Sequence, residues 1–99
     1  MKTFELIETE LLPDIDVLED EMSGYHLIVW NDEINTFEWV IKTLIEICHH
    51  KTEQAEQCTL LIHHKGKCSV KTGNYDDLKI MCDGITDRGI GATIEELVS

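Results

Sequence analysis

Asn31, Asp32 and Glu33 place an amide and two carboxylates in three consecutive positions. Gathered at one point, such side chains form an acceptor-rich, negatively charged mouth suited to a cation or to a donor such as an ammonium group. Asn and Asp are also ordinary turn residues, so the triplet alone marks a turn as readily as a site. The histidines are the other chemically capable groups, and four of the five come as the adjacent pairs His49–His50 and His63–His64. Neighbouring helical residues point about 100° apart, so neither pair clamps one ion as an i, i+4 pair does. His49 and His50 read as favourable charge at a helix C-terminus. His63 falls where the apolar face carrying Ile62 ends, and by pattern alone it is an ordinary structural histidine. The four cysteines, Cys48, Cys58, Cys68 and Cys82, contain no CxxC pair, so they match neither a zinc knuckle nor a thiol redox motif. They read as small buried hydrophobes in a reducing compartment. No nucleophile–base pair, phosphate-binding glycine loop or paired acid stands out, so binding rather than catalysis is expected, with no metal and no cofactor.

The elements that must position these groups follow from periodicity. Tyr25, Leu27 and Val29 alternate with His26, Ile28 and Trp30 in a β-branched and aromatic run, which predicts a strand buried on at least one face and ending at Asn31. Asn35 stands three residues before Glu38, the spacing of a capping box, so a helix is expected from about Thr36 to His49. Its apolar face carries Phe37, Val40, Ile41, Leu44, Ile47 and Cys48, with Trp39 off that face. Thr52 is the expected cap of a second helix, with Cys58, Leu61 and Ile62 inward and Gly66 as its stop. A strand over Lys67–Thr72, a helix over Tyr75–Arg88 weakened by Gly84, and a strand over Ile90–Glu95 complete the order. The expected fold is α+β: a small βααβαβ domain, with a three-stranded sheet and helices packed on one face, preceded by an acidic N-terminal tail.

That tail, residues 1–24, carries eight acidic side chains against one lysine, yet also Leu6, Ile7, Leu11, Leu12 and Ile15. It reads as a solvated leader or a segment that docks on a partner. The whole chain has 99 residues and a formal charge of −12, which bounds it to one small domain and disfavours nucleic acid or an anionic membrane as partner. No run approaches the roughly 20 apolar residues of a membrane span, and no signal-peptide pattern opens the chain, so a cytoplasmic location is expected.

The run YHLIVWNDEINTFEWVIKTL, followed by LLIHHKGKCSVKT and closing in GATIEEL, resembles the ClpS adaptor family of the bacterial N-degron pathway. The resemblance covers roughly Tyr25 to Leu97 and implies an adaptor domain over 25–99, with 1–24 in the place of the family's delivery segment. It implies a protein that is not an enzyme. Such a protein binds the free N-terminal residue of a substrate, large and hydrophobic such as Leu or Phe. It then delivers the substrate to a AAA+ unfoldase, ClpA-like or ClpC-like, working with the ClpP protease, through the unfoldase's N-terminal domain. By position, Asn31, Glu33 and His63 match the residues that grip the α-amino group, with Asp32 beside them adding negative charge. Asn35, Phe37, Val40, Thr59, Ile62 and Ile90 match the hydrophobic pocket, and Lys79 matches a position that touches the unfoldase. Three residues differ from the family's usual ones: Glu33 replaces an aspartate, Phe37 a gating methionine, and Thr36 a proline. The stiff Phe37 ring leads us to expect Leu and Phe to be accepted more readily than Trp, with β-branched Val and Ile excluded.

Two other functions fit the same residues. Phe37, Val40 and Ile62 suit a plain core pattern, as in a small acidic interaction or scaffold domain of similar fold that lacks the amine grip. The histidines would otherwise serve a metal-dependent enzyme.

Overall fold

A computed structural model describes residues 24–97. The tail assigned to 1–24 therefore lies outside the described residues except for Gly24. The elements run β1 (Tyr25–Trp30), α1 (Phe37–Cys48), α2 (Thr52–Lys65), β2 (Lys67–Gly73), α3 (Tyr75–Asp87) and β3 (Ala92–Glu96). This is the expected α+β order. The three strands form one antiparallel sheet in the order β2-β1-β3, so the most apolar strand is central and hydrogen-bonded on both sides.

Alternation along β1 sends Leu27 and Val29 into the core with Val40, Leu44, Leu78 and Ile85 from the helices. Burying each such side chain stabilises the fold by about 1.5–3 kcal/mol. His26 and Trp30 lie on the other face, where His26 Nδ1 meets Ser69 Oγ at 3.0 Å and Trp30 Nε1 donates to Thr93 Oγ1 at 2.9 Å. The β1–β2 register slips between Leu27, opposite Lys71, and Ile28, opposite Ser69, which leaves Val70 as a bulged extra residue. Its side chain is buried in the core and its carbonyl accepts a bond from His50 Nε2 at 2.8 Å.

Several local expectations are corrected. The N-cap of α1 is Thr36, whose Oγ1 accepts from Trp39 N at 3.1 Å, because Asn35 is engaged in the preceding turn. The N-cap of α2 is Lys51, without a side-chain bond, and Thr52 is the first helical residue. Trp39 is half buried against the core, with Nε1 donating to Arg88 O at 3.0 Å, so it does not lie free of the packed face. His50 is not a helix-end charge. It is 4% exposed, whereas His49, left-handed at φ 62°, takes the C-cap. The cation at that helix end is Lys71, whose Nζ donates to Cys48 O at 3.3 Å. Gly84 weakens α3 in propensity but lets it approach α1: a Cβ there would sit 3.0 Å from Ile47 Cδ1.

The cysteines are free thiols, and only Cys48 is fully buried. Burial pushes its thiol up to about 11, which makes it an inert packing group.

Candidate functional site

Three connections converge where β1 ends. Trp30 N donates to Gly91 O at 2.9 Å, which ties the strand end to the segment between α3 and β3. One residue later, Asn31 N donates to Gly66 O at 2.9 Å, which ties it to the stop of α2. Gly66 holds φ 92°, a left-handed conformation that L side chains adopt only with strain, and its own N–H donates to Ile62 O at 2.9 Å. His63 lies within the helical turn so closed. Asn31 and His63, thirty-two residues apart, thereby reach the same cleft.

Asp32 builds the loop between β1 and α1. Its Oδ1 accepts from Ile34 N at 2.9 Å and Asn35 N at 2.8 Å, and its Oδ2 accepts from Asn35 Nδ2 at 2.7 Å. Chiefly the Asn35 backbone bond holds the carboxyl below the usual carboxylate range, so it stays ionised. Its charge stands at the mouth, but its oxygens serve the turn. This narrows the expectation that Asp32 joins the grip: its geometry is that of a positioning residue. Asn35 carries the constraint across the molecule, since Nδ2 also donates to Gly89 O at 2.9 Å.

The result is a cleft of about 350 Å³, lined at its mouth by Asn31, Asp32, Glu33 and His63. Phe37 and Val40 from α1 and Thr59 and Ile62 from α2 form the wall, with Asn35. Phe37 is 40% exposed, and its ring stands edge-on to His63, with centroids 5.2 Å apart at 67°. Val40, Thr59 and Ile62 are buried, which sets a polar, open rim over an apolar floor. Such a rim takes a donor-only group and such a floor takes an apolar side chain.

Nine of the ten residues expected at the mouth and pocket line this cleft, and Ile90 does not. Ile90 is a buried member of the central core, one residue beyond the Gly89 carbonyl that anchors Asn35. Lys79 lies away on α3, paired with Asp83 at 2.9 Å. Sequence reasoning missed Trp30, which also lines the cleft and is 37% exposed, with Lys67 Nζ 4.9 Å from its ring centroid. Its place at the last strand position, directly before Asn31, was the available signal. Among the described residues, no three His, Cys, Asp or Glu side chains gather as a metal-holding group. No helix among them is long and apolar enough to cross a membrane.

A family model described as "ATP-dependent Clp protease adaptor protein ClpS" matches residues 20–93. A ClpS adapter protein of Campylobacter jejuni subsp. doylei is 35% identical over 69 residues, covering 68% of this chain and 70% of that protein. One from Nitratidesulfovibrio vulgaris is 32% identical over 75 residues, covering 74% and 73%. Among solved structures, Agrobacterium tumefaciens ClpS2 bound to L-phenylalaninamide superimposes with a TM-score of 0.71 at 19% identity, over 75% of this chain and 96% of that one.

Proposed function

Because the chain belongs to the ClpS family of ATP-dependent Clp protease adaptors, we propose that its cleft binds the free N-terminal residue of a substrate protein for delivery to a AAA+ unfoldase working with ClpP in the cytoplasm. The observation that carries this reading is the meeting of two recognition chemistries in one cleft: exposed polar Asn31, Glu33 and His63, and beside them Phe37 with the buried Val40 and Ile62.

A terminal α-amine titrates near 8, so it is largely an ammonium at neutral pH. An ammonium has only hydrogen-bond donors and needs acceptors around it. The Asn31 side-chain oxygen, the Glu33 carboxylate and a neutral imidazole nitrogen of His63 are three. Each charge-assisted bond is worth roughly 1.5–3 kcal/mol. The side chain of that first residue, Leu or Phe, then enters the apolar floor and adds roughly 1.5–3 kcal/mol. Less the cost of association, these contributions are compatible with roughly micromolar binding. A β-branched Val or Ile places its bulk at Cβ, against the rim, and is excluded.

Nothing in this chemistry makes or breaks a bond, and the protein acts as an adaptor rather than an enzyme. The relative solved with L-phenylalaninamide holds a ligand with a free amine and an apolar side chain, which is the pair of features this cleft would read. Delivery uses a second surface on α3, where Lys79 stands exposed beside Asp83. The test is degradation of a reporter protein beginning with Leu by a Clp unfoldase and ClpP. Added adaptor should accelerate it, Asn31→Ala should abolish the effect, and Lys79→Ala should weaken delivery while leaving peptide binding intact. No acceleration over unfoldase alone would contradict the reading.

A further inference from the structure

Asn35 is a polar residue of the cleft lining, which also includes Phe37, Val40, Thr59 and Ile62. An amide nitrogen carries two hydrogens. Here one goes to Asp32 Oδ2 at 2.7 Å and the other to Gly89 O at 2.9 Å. Two acceptors around the nitrogen also fix which end of the amide is oxygen, because the flipped orientation would set oxygen against oxygen. Oδ1 is therefore the amide's open acceptor. It is not sealed away, since the one buried side-chain N or O lacking a partner among the described residues is His50 Nδ1. Thr59 adds to the same polarity. Its hydroxyl hydrogen goes to Ala55 O at 2.8 Å, so it leaves the cleft only lone pairs and a methyl group. The wall is apolar, with acceptors whose own donors are committed elsewhere.

We propose that Asn35 is a specificity-determining residue that favours a first side chain carrying a donor at its far end, the phenol of tyrosine over the phenyl ring of phenylalanine. This rests on the cleft being the site for a free N-terminal residue. Tyr and Phe share ring and reach. The phenol hydrogen bonds Oδ1, whereas a phenyl ring displaces the water that bonded this oxygen and supplies no donor in its place. One neutral hydrogen bond of this kind corresponds to a preference of about three- to tenfold.

The experiment is fluorescence anisotropy of the full chain with labelled peptides that differ only at the start: free Tyr, free Phe, free O-methyltyrosine, and N-acetylated Tyr. Tyr should bind about three- to tenfold more tightly than both Phe and O-methyltyrosine, and in Asn35→Leu the Tyr-to-Phe ratio should fall to about one. The ligand series stands without the variant, so it decides even if Asn35→Leu unfolds. Phe or O-methyltyrosine binding as tightly as Tyr, while acetylated Tyr does not bind, would overturn the role of Asn35 and leave the amine grip standing. Acetylated Tyr binding as well as free Tyr would instead remove the amine grip on which the proposal rests, and would overturn both together.

Discussion

At the scale of single residues, three adjacent polar side chains do two different jobs. Asp32 is a carboxylate turned back on its own loop by three hydrogen bonds, while Asn31 and Glu33 are exposed at the rim. Asp32→Ala should therefore cost both stability, by about 1–2 kcal/mol from the lost bonds, and peptide affinity, because the loop that presents its neighbours loosens. Glu33→Gln should lower affinity alone. Parallel urea unfolding and peptide titration would separate the two, and equal stability of both variants would show that the Asp32 bonds do not hold the loop. The sequence offered this triplet as a turn or a site but did not show how its labour divides. Asx-turn bonding depends on which way a carboxylate swings, and Asn and Asp favour turns whether or not they bind anything. The same limit explains the misplaced cap: both Asn35 and Thr36 are good capping residues, and Asn35 was drawn away by Asp32 and Gly89, the latter 54 positions on.

At the scale of elements, helix and strand order was legible because the apolar periods are clean, but the terminations hold the site. Gly66 closes α2 at φ 92° and receives Asn31 N–H. Gly66→Ala should destabilise the fold by about 1–2 kcal/mol through the left-handed penalty, read as a lower urea midpoint, and should weaken peptide binding by displacing His63 from Asn31. His50 shows what sequence could not reveal. Its neighbour in a His–His pair is exposed, whereas the bulge at Val70 creates a buried carbonyl that only an inward ring satisfies. Burial holds this ring below the usual 6.5. Below about pH 6.5 the unfolded chain takes up a proton that the folded chain resists, so stability should fall as the pH drops from there toward the lowered folded value. It should be fully present above about pH 6.5. A His50→Gln variant should flatten that part of the profile in thermal unfolding measured against pH, and an unchanged slope would assign the dependence to other groups.

At the scale of the whole molecule, the chain carries a formal charge of −12 and its cleft is proposed to receive an ammonium. Long-range attraction should speed encounter more than it tightens the final complex. Added salt should then slow peptide association in stopped-flow measurements with less effect on dissociation, and the reverse pattern would place the charge effect inside the site. The fold class could be read from the chain because strand, turn and helix faces each carry their own local pattern, whereas most of the cleft came from the family resemblance, since by pattern alone Phe37, Val40 and Ile62 suit a core. Ile90, assigned to the pocket by the family resemblance, packs in the central core and is not among the residues that line the cleft. The central claim is that one cleft reads a free amine and an apolar side chain together. The most direct measurement is the anisotropy of a labelled peptide beginning with Leu, compared with its N-acetylated form and with the same peptide beginning with Val, on the wild-type chain and on His63→Ala. Tight binding of free Leu alone, lost in His63→Ala, is the expected result; equal binding of the free and acetylated peptides would contradict it.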